Sequence, residues 1–342
     1  MTTLSLLKHR SEFGSLKIRP LFDRKVSPNP HHKWLSKELI QWSKRFADHN
    51  QRLDEMSVLF TSYMYSGCQQ RVRLLAVGKF VCFAFYLDQH KEKACRERSA
   101  PLMVELIKKL VTTVLTGRTA KEFVLGRRLL DLMEGLNVFM TRDQMTDMRH
   151  RLTIYFKSHR EIHCNYWLKN RFIQYDQYYE LRSKESGWLL LVSLMEIIVD
   201  YRPPDSVLRY LSVDKLVTSA TRLGLAVDDY LCFMPKLAAN DITTGVMSYA
   251  STKKCSLQTA LDSQFQLIKH LEAECQSLSS TIANKVGAES QTPALMAYVN
   301  AMMDMSYGVS QAIEMLFNFE MNDGLIWCPK WDQLIVLEII HK

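Results

Sequence analysis

Apolar residues recur every three to four positions from Trp34 onward, the period of amphipathic helices rather than the alternation of strands. The pattern predicts helices over 34–48, 51–65, 69–88, 100–116, 119–140, 142–158, 160–183, 188–200, 204–223, 224–238, 256–284 and 292–320. Breaks are expected at Gly67, Gly117, Gly187, Pro203-Pro204 and Gly287, where backbone freedom or a missing N–H interrupts a helix. Residues 1–33 mix Lys, Arg, Pro and Ser without a period and end in SPNPHH, which suggests an arm or strap. No internal repeat or shift in composition divides the remainder. The expectation is an N-terminal arm over 1–33 and one all-α domain over 34–342, a bundle of about a dozen helices.

The chain has 342 residues and is 47% hydrophobic, enough for a sizeable core. The longest apolar runs, Leu74–Leu87 and Trp188–Val199, are interrupted by Lys79 and Glu196 and fall short of a membrane span. The opening MTTLSLLKHRSEF lacks the apolar length of a signal peptide. None of the eight cysteines forms a C-x-x-C pair, so reduced thiols and a cytoplasmic location are expected. A net charge of +8 raises the question of an anionic ligand, but the basic residues are scattered and carry no nucleic-acid signature.

Three places carry candidate chemistry. The apolar run LLAVGKFVCFAFYLD ends at Asp88 and opens the segment DQHKE. Asp88 and Glu92 stand one helical turn apart and can face one side. Arg182 lies in YYELRSKESG, just before Gly187, and guanidinium grips phosphate oxygens bidentately. Asp228 follows Arg182 by 46 positions, in VDDYLCFMPKL. His159, His163 and Cys164 have helical spacing, but Lys and Arg flank them and a solvated face is expected. No Walker A, G-x-S-x-G or Rossmann fingerprint occurs.

Together these residues resemble the class I terpene synthases, over roughly residues 34–331, and look like a divergent, fungal-type sesquiterpene cyclase. The resemblance implies a helical bundle around an apolar cup and Mg2+ as cofactor. It implies farnesyl diphosphate as the first candidate substrate, and cyclisation of its allyl cation to a humulene-type hydrocarbon. Asp88 and Glu92 match the first and last acids of the family's first metal motif, with Gln89 replacing the second acid and Lys91 lying inside it. Arg182 matches the diphosphate sensor, with Tyr178, Ser186 and Gly187 around it. The second motif reads Asp228, Cys232 and Lys236 where the family has Asn, Ser and Glu. Asp228 remains a metal ligand, and Lys236 stands in for part of a metal site by neutralising the diphosphate. A competing register uses Asn240, Asp241, Thr244 and Ser248, and breaks the 46-residue spacing. Near the C-terminus, Lys330 and Trp331 replace the family's Arg-Tyr pair. Phe80, Phe85 and Trp327 are the expected wall of the cup, where ring faces stabilise a cation. No nucleic acid and no membrane partner are implied, and a homodimer is left open. The competing readings are a non-catalytic helical interaction or nucleic-acid-binding protein, and an inactive paralogue of the same family.

Overall fold

The computed structural model describes residues 18–210, 212–233, 236, 242–286, 292–317, 320–322 and 325–327. Its elements are helices apart from one short hairpin. The first five are α1 (His32–Ser43), α2 (Gln51–Met64), α3 (Arg71–Arg96), α4 (Ala100–Thr116) and α5 (Val124–Asn137). There follow α6 (Arg142–Ile162), a π turn (His163–Trp167), α7 (Tyr175–Glu185), α8 (Trp188–Ser193), α9 (Met195–Ile198) and α10 (Asp205–Tyr210). The remaining helices are α11 (Val213–Leu231), α12 (Gly245–Lys253), α13 (Leu257–Val286) and α14 (Thr292–Phe317). Strands β1 (Glu320–Asn322) and β2 (Leu325–Trp327) pair antiparallel, with Trp327 opposite Glu320.

Local chemistry fixes many of the helix ends. The Asn50 side chain accepts from the N–H groups of Arg52 and Leu53 at the start of α2. Thr141 and Gln144 form a reciprocal capping box on α6. Gly117 ends α4 in the left-handed conformation at φ 64°.

Helix α11 is the centre of the bundle. It packs against α13 and α14, while α14 meets α2 and α2 meets α3. Leu223, Leu225, Ala226, Val227, Tyr230 and Leu231 are all buried, so its second half faces protein on nearly every side, with Asp228 partly open. The boundary expected between 204–223 and 224–238 is absent, and the helix runs through Gly224. This glycine allows close packing, because a Cβ there would fall 2.3 Å from the Trp188 ring.

Three further expectations are corrected. Helix α3 does not stop at Asp88 but continues to Arg96, so the first acidic segment is helical throughout. The span 160–183 is not one helix: α6 passes into a π turn, and α7 starts anew at Tyr175. A separate helix, α12, occupies Gly245–Lys253, where none is expected.

The described part of the N-terminal arm lies against the bundle. Ile18 and Leu21 are buried, the Arg19 N–H donates to the Tyr230 hydroxyl at 2.7 Å, and Lys269 Nζ donates to the Leu21 carbonyl. No described helix is long and apolar enough to cross a membrane. The seven described cysteines are free thiols.

Candidate active site

Helices α3, α6, α7 and α11 converge on one cluster of charged side chains. Helix α3 brings Asp88 and Lys91, and α7 brings Tyr178, Arg182 and Glu185. Helix α11 brings Asp228 and Asp229, with Lys236 just beyond it. Residues far apart in sequence therefore meet, each held by a helix packed in the core.

Arg182 is the hub. Its Nη1 is paired with Glu185 one turn on, and its Nε donates to the Tyr178 hydroxyl at 3.2 Å. Its Nη2 lies 3.7 Å from Asp229 Oδ1 and 3.9 Å from Asp228 Oδ2. Behind it, α7 ends at Ser186, whose hydroxyl accepts from the Trp188 N–H at 3.3 Å. Gly187 takes φ 76°, which reverses the chain into α8. A Cβ at Gly187 would stand 3.2 Å from the Tyr155 ring.

Each acid of interest has an ammonium beside it. Lys91 Nζ donates to Asp88 Oδ1 at 2.6 Å and lies 3.4 Å from Glu185 Oε1. Lys236 Nζ donates to Asp228 Oδ2 at 2.7 Å and lies 3.6 Å from Asp229 Oδ1. Asp88 keeps half of its side chain open to solvent; partial desolvation works against its charge, yet Lys91 and Lys236 hold its carboxyl below the usual carboxylate range. The same contest at Asp228, against Lys236 and Arg182, also ends below that range. Asp229 goes the other way. Its complete burial and the neighbouring Asp228 charge raise it, despite Lys236, Arg182 and a 2.5 Å hydrogen bond from Tyr178. Burial opposes charge on Lys236 too, but the adjoining Asp228 and Asp229 raise it and keep the ammonium charged.

The expected solvated face is wrong for His159, on α6, and for His163, which opens the π turn. Both are buried, and His159 Nδ1 meets Glu185 Oε1 at 2.7 Å. They continue the stripe of Met148, Leu152, Tyr155 and Phe156 along α6, so the 3.6-residue period holds the signal for their burial. Cys164, on the π turn, is half-buried. Burial, with Lys91, His163 and Arg182 around it, pushes His159 far below its ordinary range, and its ring stays neutral. One ligand atom each of His159, His163 and Glu185 falls within 4.8 Å of the others. Two cations already share that carboxylate, so the group is better suited to an ion-pair junction than to a metal.

Hard cations take oxygen ligands, and the second motif offers two carboxylates and a thiol. Asp228 offers a quarter-exposed carboxylate, and Asp229 Oδ1 is buried without a hydrogen-bond partner. The Cys232 thiol is pushed well above its usual range by burial and the Asp228 charge, so it stays protonated and offers no hard donor. The carboxylates fit a hard divalent ion, and the thiol does not.

The remaining expected residues distribute as follows. Glu92 is exposed one turn beyond Asp88; across the bundle, Asp88 is joined through Lys91 to Glu185 instead. Phe80 is buried in α3, and half-buried Phe85 meets Phe60 edge-on at 5.2 Å. Of the competing register, Asn240 and Asp241 lie outside the described residues, as do Lys330 and Trp331. Its Thr244 is the N-cap of α12, accepting from the Met247 N–H at 3.2 Å. Glu185, Asp229 and His159 are the members that motif reasoning misses. Glu185 is one turn from Arg182, and Asp229 is the second acid of an adjacent pair.

Residues 79–274 match the family described as terpene synthase family 2, C-terminal metal binding, a region that indicates a divalent metal. A Dictyostelium purpureum protein, terpene synthase 11, is 23% identical over 233 residues, which is 67% of each chain. The fold is similar to that of germacradien-4-ol synthase from Streptomyces citricolor, with TM-score 0.71, 14% identity and coverage of 86% of this chain and 97% of that one. It is also similar to linalool/nerolidol synthase from Streptomyces clavuligerus, with TM-score 0.71, 13% identity and coverage of 84% and 97%. With more than half of its length matched by the family and its charged cluster spanning the matched helices, the chain belongs to the terpene synthases, with the helical fold of class I.

Proposed function

We propose that this protein is a sesquiterpene cyclase that ionises farnesyl diphosphate with Mg2+ and closes the allyl cation to a hydrocarbon of humulene type. The observation that carries this reading is the convergence of Asp88 from α3, Arg182 from α7, and Asp228 with Lys236 at the end of α11 onto one charged cluster. A scaffold with a solvated basic surface gives no reason for these residues to meet.

In this mechanism Asp88 and Asp228, with Asp229 beside Asp228, would hold the divalent ions, and exposed Glu92 would supply a further carboxylate. Bound metal supplies Lewis-acid charge at the diphosphate oxygens. Arg182 grips the diphosphate through its planar fork, aimed by Tyr178 and Glu185. Lys236 adds a second positive charge where the family has a carboxylate, so leaving-group charge is met partly by protein. The C–O bond breaks, the electron pair leaves on the diphosphate, and the allyl cation is left among aromatic and aliphatic side chains. Ser186 and Gly187 end the helix behind Arg182 and fix where its side chain leaves the backbone. Proton loss from the final cation then gives the alkene.

The test is incubation of the full chain with farnesyl, geranyl or geranylgeranyl diphosphate and Mg2+, followed by gas chromatography and mass spectrometry. A cyclic C15 hydrocarbon from farnesyl diphosphate, absent with a chelator and absent from Asp88→Ala, is the expected result. Turnover of another chain length alone overturns the sesquiterpene assignment, and no product from any of them leaves the inactive paralogue.

A further inference from the structure

Lys91 and Lys236 stand in the same relation to the two acids assigned to metal. Each ammonium makes a short contact to one acid, 2.6 Å to Asp88 and 2.7 Å to Asp228. Each also lies near a second, more buried acid, 3.4 Å from Glu185 and 3.6 Å from Asp229. The two ammoniums therefore sit between carboxylates, in the positions a bridging cation takes.

An ammonium and a divalent ion repel each other and compete for the same oxygen. Lys91 is only 7% exposed, so it cannot simply move out into water when a metal takes Asp88. It needs another anion within reach. Glu185 is already shared with Arg182 and His159. Diphosphate is the anion that arrives with the metal, and it has oxygens to spare. Charge counting agrees. Asp88, Glu185, Asp228 and Asp229 face Lys91, Arg182 and Lys236, so the cluster is close to neutral before any ligand enters. A bare divalent ion finds little net attraction there, whereas a metal and a diphosphate entering together each receive partners.

We propose that Lys91 is a second diphosphate-binding lysine, and that Lys91 and Lys236 act as a pair of latches that make metal binding conditional on diphosphate. Asp88 and Asp228 pass to the metal only as the two ammoniums pass to phosphate oxygens. The identity of the anion rests on the cyclase reading above; the coupling itself is measured without turnover.

The experiment uses the full chain and two binding measurements. Mn2+ alone is titrated and the free ion counted by electron paramagnetic resonance. Inorganic diphosphate is titrated at saturating Mg2+ by calorimetry. Wild type is expected to take up no stoichiometric Mn2+ below millimolar concentration. Lys91→Gln is expected to gain affinity for Mn2+ alone and to lose affinity for diphosphate with Mg2+, each by about 10-fold, within the usual range of coupling between sites. Lys91→Arg, which keeps the charge, should retain the wild-type pattern and serves if the Gln variant folds poorly. A Lys91 that only braces α3 against α7 moves both affinities in the same direction or neither. That result, or tight stoichiometric Mn2+ binding by wild type, overturns the proposal. Opposite shifts in a protein that makes no terpene sink the cyclase reading and leave the latch standing. Terpene formation with parallel shifts does the reverse.

Discussion

The Tyr178 hydroxyl donates to Asp229 Oδ2 at 2.5 Å and accepts from Arg182 Nε at 3.2 Å. One phenol thus ties α7 to the end of α11. Asp229 Oδ2 also accepts the Gly245 N–H at 3.2 Å, which extends the tie to α12. The guanidinium is aimed by three groups (Tyr178, Glu185 and the Asp228–Asp229 pair), and its orientation does not depend on a bound anion.

That orientation gives the first prediction. Arg182→Lys keeps the charge but cannot pair with Tyr178 and Glu185 at once, so it should bind diphosphate with Mg2+ more weakly than wild type. Arg182→Ala removes a preorganised donor and should lower kcat on the order of 100-fold. Calorimetry with inorganic diphosphate checks the binding, and product formation checks the rate. Equal diphosphate affinity in the Ala variant excludes Arg182 as the sensor.

His159 sets an acid limit on stability. Its ring is buried and held neutral, with a folded pKa far below the ordinary value. The unfolded chain binds the proton near pH 6.5 and the folded chain resists it. The stability present above that pH is therefore lost as the pH falls, by about 1.4 kcal/mol per unit from this group. Urea unfolding at pH 7.5 and 5.5 measures the difference. His159→Gln should shrink it, and an unchanged difference would show that another group controls the acid limb.

Gly187 combines two constraints. Its φ of 76° is left-handed, and the Tyr155 ring stands where a Cβ would press. Gly187→Ala should therefore cost about 1–2 kcal/mol from the backbone alone, measured by thermal unfolding. The repacking of Tyr155 should also change the product mixture.

How much of this was legible in the sequence depended on the kind of signal. The all-α class followed from the 3.6-residue period, which tertiary packing left intact. Arg182 and Asp228 were linked only by a family spacing of 46 positions, and Asp88 by the switch from an apolar run to acid, since helices that meet in space leave no more than such marks in the chain. Helix ends were harder. Asp88 looked like a helix terminus because polarity rises there, but α3 continues with an exposed face to Arg96. His159 and His163 were misjudged because charged neighbours outweighed a stripe that held the correct answer. The lysine–acid pairs were beyond reach, because Lys91 and Glu185 are joined only by the packing of α3 against α7.

Lys236 provides the last prediction. In the proposed register it takes the place of the family's metal-binding glutamate, and its ammonium lies on Asp228 and near Asp229. If it meets the diphosphate itself, the closed complex contains fewer magnesium ions than the three usual in this family. Lys236→Met should then leave leaving-group charge uncompensated in a dry site, with a loss in kcat on the order of 100-fold. Lys236→Glu restores the family residue, yet it places a third carboxylate beside two and removes the cation that balances them. It should not rescue activity unless Cys232→Ser supplies an oxygen donor in place of the protonated thiol. A crystal structure with diphosphate and Mg2+ decides the matter. Three magnesium ions, or an ammonium far from every phosphate oxygen, would refute the substitution of lysine for metal. Fewer ions with Lys236 in contact would show how a terpene synthase keeps its electrostatics while losing its second motif.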